Sequence, residues 1–161
     1  MANMIPEMDP ARDLCLEREV PVRAELLWRG WTEPELLKRW FCPLPWHVTE
    51  AEIDLQPGGA FRTVMEGPNG ERQDEEAGCY LEIVPARRLV WTDSLGPGYR
   101  PRTNGFLTAF IDFAPLPGGS TRYSVLVRHA DVEARQRHAD MGFEQGWGTA
   151  LDQLVALART L

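Results

Sequence analysis

The C-terminal segment constrains the fold more than any other part of the sequence. In residues 141–158 apolar side chains recur at helical spacing and form one stripe, made of Trp147, Leu151, Leu154, Val155 and Ala158. A helix of this length with one apolar face must pack against another element, and most of the preceding sequence has strand-like patterns. The stripe therefore predicts a long terminal helix that lies on a β-sheet.

Three glycines, Gly142, Gly146 and Gly148, lie in the first half of this helix. Each costs up to about 1 kcal/mol relative to alanine in a helix interior. Two explanations stay open: the glycines allow close packing of the helix on the sheet, or they leave space for a molecule other than protein. Asp131, followed by Val-Glu-Ala, is predicted to cap the helix at its N-terminal end.

Composition excludes several classes of function. The net charge of −7, with arginines scattered among acidic residues, argues against nucleic-acid binding, which needs a basic face. No apolar run approaches the ~20 residues that cross a bilayer, so we expect no membrane insertion. The 161 residues suit one domain, which we place at residues 14–161 after a flexible tail at residues 1–13. That tail lacks the apolar core of a signal peptide.

The three cysteines, Cys15, Cys42 and Cys79, are widely spaced and form no CxxC pattern. Neither a disulfide framework nor a zinc site is expected from them. We therefore predict a reduced, cytoplasmic protein, in which Cys79 is a small core residue.

Between the tail and the terminal helix, the sequence predicts one strand, two short helices and about six further strands. The first strand spans residues 14–20, and the helices span 23–31 and 32–40, the second begun by a capping box of Thr32 and Glu35. The later strands are predicted at residues 46–55, 61–66, 75–84, 88–94, 106–114 and 120–129. Because no crossover helices separate these strands, the sheet should be antiparallel.

This order predicts an α+β fold in which a curved sheet of about six to seven strands surrounds the terminal helix. The sheet and helix then enclose either a packed core or a cavity. Residues 67–71 are predicted to form a hairpin tip. The Gly/Pro-rich loop at residues 96–105 and the break at residues 42–45 are the candidate gates of a cavity.

Five segments resemble, in order and spacing, the bacterial homologues of the activator of heat-shock-protein-90 ATPase, within the START-like (SRPBCC, helix-grip) superfamily. They are WTEPELLKRWF (residues 31–41), DLQPGGAFR (54–62), GPNGE (67–71), GCYLEIVPARRLVWT (78–92) and EQGWGTALDQL (144–154). The resemblance covers roughly residues 14–161. It implies a helix-grip fold with a hydrophobic cavity between sheet and terminal helix.

The resemblance implies much less about activity. Similar proteins include lipid carriers, plant-hormone receptors, polyketide cyclases, antibiotic-sequestering proteins and a co-chaperone, and fold does not select among them. The co-chaperone has a second, N-terminal domain without a counterpart in these residues, which argues against a chaperone partner.

The aromatic side chains, above all the tryptophans, have two interpretations. They pack in the core, or, by strand phase and the resemblance, they form a ligand-binding wall. Large rigid rings line ligand pockets at a low entropic cost, and methionines adapt to several shapes. The candidate ligand-binding residues are Trp40, Phe41, Trp46, Phe61, Met65, Tyr80, Trp91, Phe106, Phe110, His129, Met141, Trp147 and Leu151.

Several polar residues have two interpretations. His129, at the end of the last strand, either faces the cavity, as a general base or as a hydrogen-bonding group for a ligand, or is bonded to nearby backbone. Arg62, Glu66 and Asp112 lie on predicted strands and face either the cavity or solvent. The three histidines, His47, His129 and His138, are too scattered in the sequence for a metal site, so no metal is expected.

The sequence favours binding of a small, largely apolar or aromatic molecule, without a cofactor. The alternatives are a cyclase- or hydrolase-type enzyme in the same cavity, with His129 or a carboxylate as acid–base group, and a chaperone-stimulating interaction protein. No GxSxG context surrounds a serine and no phosphate-binding loop occurs, so catalytic residues are not assigned. An edge strand and the tryptophan-rich helices could form a homodimer.

Overall fold

A computed structural model describes residues 6–161. The strands are β1 (Asp13–Val20), β2 (His47–Ile53), β3 (Ala60–Glu66), β4 (Arg72–Asp74), β5 (Gly78–Val84), β6 (Arg88–Thr92), β7 (Leu95–Gly96), β8 (Arg100–Pro101), β9 (Thr108–Pro115) and β10 (Thr121–Arg128). The helices are α1 (Ala24–Thr32), α2 (Pro34–Leu37), α3 (Val132–Asp140) and α4 (Phe143–Ala158), and a 3₁₀ turn spans Pro97–Tyr99.

Seven strands form one curled antiparallel sheet in the order β1-β10-β9-β6-β5-β3-β2, and β4 pairs with β3. This arrangement confirms the predicted α+β fold, with a long C-terminal helix and short helices after the first strand. Strand alternation produces the inner face: Ala109, Ile111 and Phe113 on β9 are buried, as are Val125 and Val127 on β10.

The core lies between this inner face and helices α1 and α4. On α4, Leu151, Leu154 and Ala158 are buried, as their stripe predicts. The tight approach between helices occurs at Gly30 on α1, where an added Cβ would clash with Leu154. Close packing therefore involves a glycine outside the terminal helix.

The terminal segment is two helices and not one, which corrects the sequence prediction. Gly142 separates α3 from α4 and has a φ of +90°, in the left-handed region that favours glycine. Asp131 caps α3, because its side chain accepts a hydrogen bond from the backbone N–H of Ala134 at 2.8 Å. The predicted cap thus forms, but on the shorter helix.

The predicted capping box of Thr32 and Glu35 is wrong. Thr32 is the last residue of α1, and its hydroxyl donates to the carbonyl of Trp28 at 2.8 Å. Glu33, extended as the residue before a proline prefers to be, occupies the N-cap of α2 instead. Helix α2 ends at Leu37, so the predicted helix to residue 40 is too long.

Two predicted segments differ in detail. The segment 75–84 contains β5 only from Gly78, and the turn at residues 67–71 joins β3 to the short β4. The loop at residues 96–105 is partly ordered, since β7 and β8 pair as a two-stranded ribbon.

The predicted tail at residues 1–13 lies partly outside the described residues, which begin at residue 6. The backbone N–H of Asp13 donates to the carbonyl of Asp9 at 2.8 Å, which closes a turn before β1. Among residues 6–161, no helix combines the length and apolar character needed to cross a membrane.

Candidate functional site

A cavity of about 580 Å³ lies between α4 and the inner face of the sheet. Its lining comes from the sheet, from α1, from the segment after α2, and from α3 and α4. Pockets that hold small molecules usually measure about 300–1,000 Å³ and are mostly apolar. The cavity therefore has the size and position of a ligand site.

Aromatic rings form most of the buried lining, which we call the aromatic wall. Five of the six tryptophans line the cavity, namely Trp31, Trp40, Trp46, Trp91 and Trp147. The rings of Trp31 and Trp40 meet edge to face, with centroids 4.8 Å apart. The indole N–H of Trp40 donates to the carbonyl of Gly30 at 2.8 Å, which fixes the ring. Such contacts make the wall rigid before any ligand enters.

On helix α4 a glycine interrupts the aromatic wall. Gly146 lines the cavity, and the nearest atom to a Cβ at this position would be Cγ of Pro43, 4.0 Å away. Gly148 faces Arg18 at 3.9 Å, in a separate groove on the outside of the helix. Close packing therefore does not explain either glycine, and at Gly146 the missing side chain leaves space inside the cavity.

The cavity opens to solvent between the segment after α2 and the junction of α3 with α4. Leu44 and Met141 line it from these two sides and are 73% and 71% exposed. Of the two candidate gates, the break at residues 42–45 contributes lining residues. The loop at residues 96–105 contributes none and borders a different surface groove.

Gln153 on α4 holds the segment at the cavity mouth. Its side-chain amide donates to the carbonyls of Trp40 at 3.0 Å and Cys42 at 2.9 Å. Its side-chain oxygen accepts from the backbone N–H of Leu44 at 3.1 Å. One side chain thus satisfies three backbone groups of an irregular segment.

The structure brings nine of the thirteen candidate residues to the cavity: Trp40, Phe41, Trp46, Met65, Trp91, Phe106, Met141, Trp147 and Leu151. Phe61, Tyr80, Phe110 and His129 lie elsewhere. Contact of any of these residues with a ligand stays a prediction.

Phe61 and Tyr80 form a second layer behind the wall. The ring of Phe61 lies 4.9 Å from Trp91 and 5.4 Å from Tyr80, measured between centroids. Tyr80 is fully buried, and its hydroxyl has no hydrogen-bond partner among the described residues. Burial raises the pKa of this hydroxyl, so it stays protonated.

Phe110 lies on the outer face of the sheet. Its neighbours Ala109 and Ile111 are fully buried on the inner face, and successive side chains alternate between faces. In register, Phe110 pairs with Val90 and Leu126. The placement of Phe110 in the wall was therefore wrong by one residue of strand phase.

His129 lies behind the wall and contacts a second histidine. Its Nδ1 is 2.9 Å from the carbonyl of Arg12, and its Nε2 is 2.8 Å from Nδ1 of His138. The backbone-bonded interpretation of His129 therefore describes this position. His138, not His129, lines the cavity.

The thirteen candidates omit further lining residues: Trp31, Cys42, Pro43, Leu44, Gln73, Leu107, Tyr123, His138, Gly142, Phe143, Gly146 and Ala150. Residues 42–44 were predicted only as part of a gate, and Gly142 and Gly146 only as possible space under the helix. Two of the omitted residues carried a usable signal. Tyr123 has the same strand parity as the buried Val125 and Val127. His138 follows Ala134 by four residues, and these two are the buried face of α3.

Among the described residues, no Asp, Glu, Lys or Arg lines the cavity. The three charged candidates instead pair on the sheet: Arg62 with Asp74, Glu66 with Arg72, and Asp112 with Arg88. The site is therefore electrically neutral and suits an uncharged ligand.

The remaining reactive groups have ordinary structural environments. Burial raises the pKa of the Cys42 thiol to about 11, so at neutral pH this lining residue is a protonated, weakly reactive thiol. Within residues 6–161, no cluster of three His, Cys, Asp or Glu side chains could hold a metal ion.

Residues 21–159 match the family model described as Activator of Hsp90 ATPase homolog 1-like protein. The chain belongs to this family. None of the curated proteins compared with the chain matches it.

Solved structures agree with membership of the Activator of Hsp90 ATPase homolog 1-like family. A protein from Nitrosomonas europaea is 43% identical, with a TM-score of 0.90, over 95% of this chain and 97% of that chain. A protein from Rhodobacter sphaeroides is 23% identical, with a TM-score of 0.80, over 96% and 97%. An AHSA1-like protein from Aeromonas hydrophila is 22% identical, with a TM-score of 0.68, over 92% of each chain. The similarity to the last two proteins shows a shared fold only.

Proposed function

We propose that this protein binds a small hydrophobic or aromatic molecule between the sheet and α4. The observation that carries the proposal is the 580 Å³ cavity with an aromatic, uncharged wall and an open mouth. Burial of apolar ligand surface contributes roughly 25 cal/mol per Å² before the costs of association, so such a wall favours flat apolar ligands.

The experiment fills part of the cavity with a larger side chain on α4. In Gly146→Leu the new side chain enters the cavity, because Gly146 lines it and the nearest atom to the added Cβ, Cγ of Pro43, is 4.0 Å away. Gly148→Leu is the matched control, since it makes the same change on the same helix outside the cavity. Naphthalene is the probe, and quenching of the lining tryptophans reports binding.

We expect naphthalene to bind the wild type and Gly148→Leu with micromolar affinity and to bind Gly146→Leu at least tenfold more weakly. Both variants exchange glycine for leucine in a helix, so neither should lose thermal stability for reasons of helix propensity. Equal affinity in all three proteins would contradict the proposal, as would absence of quenching in the wild type.

The enzyme hypothesis has less support. Both ring nitrogens of His129 are bonded to protein atoms, so this residue has no free nitrogen for a ligand. No carboxylate of the described residues lines the cavity. An acid–base role would pass to His138, and turnover of a bound ligand that is lost in His138→Phe would be its evidence.

The family description names an activator of Hsp90 ATPase, and stimulation of a chaperone is therefore a separate hypothesis for this chain. The cavity does not bear on it. Addition of the protein to a chaperone ATPase assay, with Gly146→Leu beside the wild type, separates a surface interaction from a ligand-dependent one.

Cytoplasmic location is the last part of the proposal. Three free thiols, Cys15, Cys42 and Cys79, support a reducing compartment. Detection of the protein in the cytoplasmic fraction of its native cells would test this point.

A further inference from the structure

Two buried histidines form a hydrogen-bonded pair at one end of the cavity. His138 on α3 is 7% exposed and lines the cavity, while His129 is 8% exposed and lies behind it. The distance between Nε2 of His129 and Nδ1 of His138 is 2.8 Å. The other nitrogen of His129, Nδ1, is 2.9 Å from the carbonyl oxygen of Arg12.

The partners of these nitrogens determine where the protons lie. A carbonyl oxygen only accepts, so Nδ1 of His129 carries a hydrogen and donates to Arg12. In the neutral ring, Nε2 of His129 then has only a lone pair, and Nδ1–H of His138 donates to it. A neutral His138 with its hydrogen on Nδ1 has a bare lone pair on Nε2.

His138 is neutral at physiological pH. Burial is the main cause, and the nearby His129 adds to it; together they lower the pKa of His138 to about 4. The rings of Phe106 and Phe143 flank His138, with centroids 5.0 and 5.1 Å away. Within the described residues, Nε2 of His138 has no hydrogen-bond partner, so its lone pair is available to the cavity it lines.

The wall also contains two buried donors. The indole N–H of Trp91 is buried and has no partner in the part of the chain that the structure describes. The hydroxyl of Tyr123 accepts from the indole N–H of Trp31 at 3.0 Å, and its own hydrogen remains free to donate. Trp46 and Trp147, which also line the cavity, carry further indole N–H groups, so the donors of the wall outnumber its side-chain acceptors.

We propose that the cavity selects neutral aromatic alcohols, whose hydroxyl donates its hydrogen to Nε2 of His138. This inference rests on the proposed function and names the class of ligand. A hydroxyl suits the wall because it donates to His138 and its oxygen accepts from a wall donor. A carboxylate cannot donate to His138 and meets no cation in the wall. A ligand with an ammonium group meets no carboxylate in the wall.

The test compares four naphthalene probes in the wild type at pH 7.5: naphthalene, 2-naphthol, 2-methoxynaphthalene and 2-naphthoate. We expect 2-naphthol to bind about tenfold more tightly than 2-methoxynaphthalene, because methylation removes the donor and keeps the oxygen. The carboxylate should bind most weakly. Comparable affinities for 2-naphthol and 2-methoxynaphthalene, or tighter binding of the carboxylate, would overturn the inference.

His138→Phe removes the acceptor and keeps a ring in place. We expect the preference for 2-naphthol over 2-methoxynaphthalene, taken as the ratio of their affinities for the same variant, to fall to within about twofold. The exposed His47 provides a matched control, and His47→Phe should keep the full preference. Retention of that preference in His138→Phe would contradict the assignment.

If His138→Phe does not fold, a measurement on the wild type tests the same assignment. Nitrogen-15 NMR of the histidine rings should show His138 with its hydrogen on Nδ1. Its Nε2 signal should shift on addition of 2-naphthol and not of naphthalene. A hydrogen on Nε2 in the free protein would overturn the inference. If no probe binds, the proposed function itself fails; if all bind alike, only the selectivity fails.

Discussion

At the scale of single residues, His138 both lines the cavity and makes the stability of the protein depend on pH. The residue lies on a helix of mostly polar side chains, and only Ala134 shares its buried face. Its neutral ring is part of a hydrogen-bonded pair inside an aromatic environment. A histidine that is buried neutral must gain a proton when the protein unfolds in acid, which couples folding to pH.

We expect His138 to make the protein less stable between pH 6.5 and about 4. Its pKa is about 4 in the folded protein against 6.5 in the unfolded chain, so in this interval the unfolded state binds more protons. The resulting loss in the free energy of unfolding is complete below about pH 4 and amounts to about 1–3 kcal/mol. Urea unfolding of the wild type and His138→Phe across this range should show a smaller decline in the variant.

His47→Phe is the control for this pH experiment, because His47 is exposed and should leave the decline unchanged. Identical pH profiles for the wild type and His138→Phe would show that His138 does not titrate with a depressed pKa.

Residue placement was predictable where strand or helix phase was clear. Trp147 follows from the helical stripe, whereas Phe110 was assigned to the wrong face because β9 has apolar residues on both faces. The role of His138 was hidden because its proton position depends on its partner His129, whose other nitrogen bonds to the carbonyl of Arg12 at the far end of the chain. Side-chain pairs between remote elements leave no local pattern.

At the scale of elements, the junction of α3 and α4 shapes the cavity mouth. Gly142 turns the chain in the left-handed region, and Gly146, one helical turn later, leaves space beneath α4. The sequence predicted one helix because the cap signal at Asp131 precedes the apolar stripe without a proline between them, and a glycine alone does not reveal its φ. The same residue type therefore has two different functions within five positions.

Alanine substitutions at these two glycines should have opposite effects. Gly142→Ala should destabilise the protein by about 1 kcal/mol, because alanine is strained at positive φ. Gly146→Ala should stabilise it by about 0.5–1 kcal/mol, because the position is helical and the added Cβ meets no close atom. Thermal unfolding measures both, and changes of the same sign would contradict the helix break at Gly142.

Gln153 should control exchange of the ligand. Gln153→Ala removes three hydrogen bonds that hold the segment at the mouth, so the free energy of unfolding should fall by about 1–3 kcal/mol. Dissociation of naphthalene, followed by stopped-flow fluorescence, should become several-fold faster. Gln145→Ala on the exposed face of α4 should change neither quantity, and an unchanged rate in Gln153→Ala would exclude this role.

At the scale of the whole molecule, a curled sheet and a terminal helix enclose a space that side chains do not fill. The sequence predicted this architecture because strand order, short connections and one amphipathic helix permit few alternatives. It left open whether the interior was core or cavity, since this depends on how rings such as Trp40 and Trp91 orient. In the structure Trp40 is held by an edge-to-face contact with Trp31 and a hydrogen bond to Gly30, and Trp91 by a tilted contact with Phe61.

The most direct test of the cavity as a ligand site is a crystal structure of the wild type grown with 1-bromonaphthalene. The anomalous signal of bromine locates the probe without reliance on the protein model. We expect one strong peak between Trp91, Phe106 and Trp147, with the surrounding rings little changed. A cavity closed by rotated tryptophans, or a peak only on the outer surface, would contradict the proposal that this space holds a ligand.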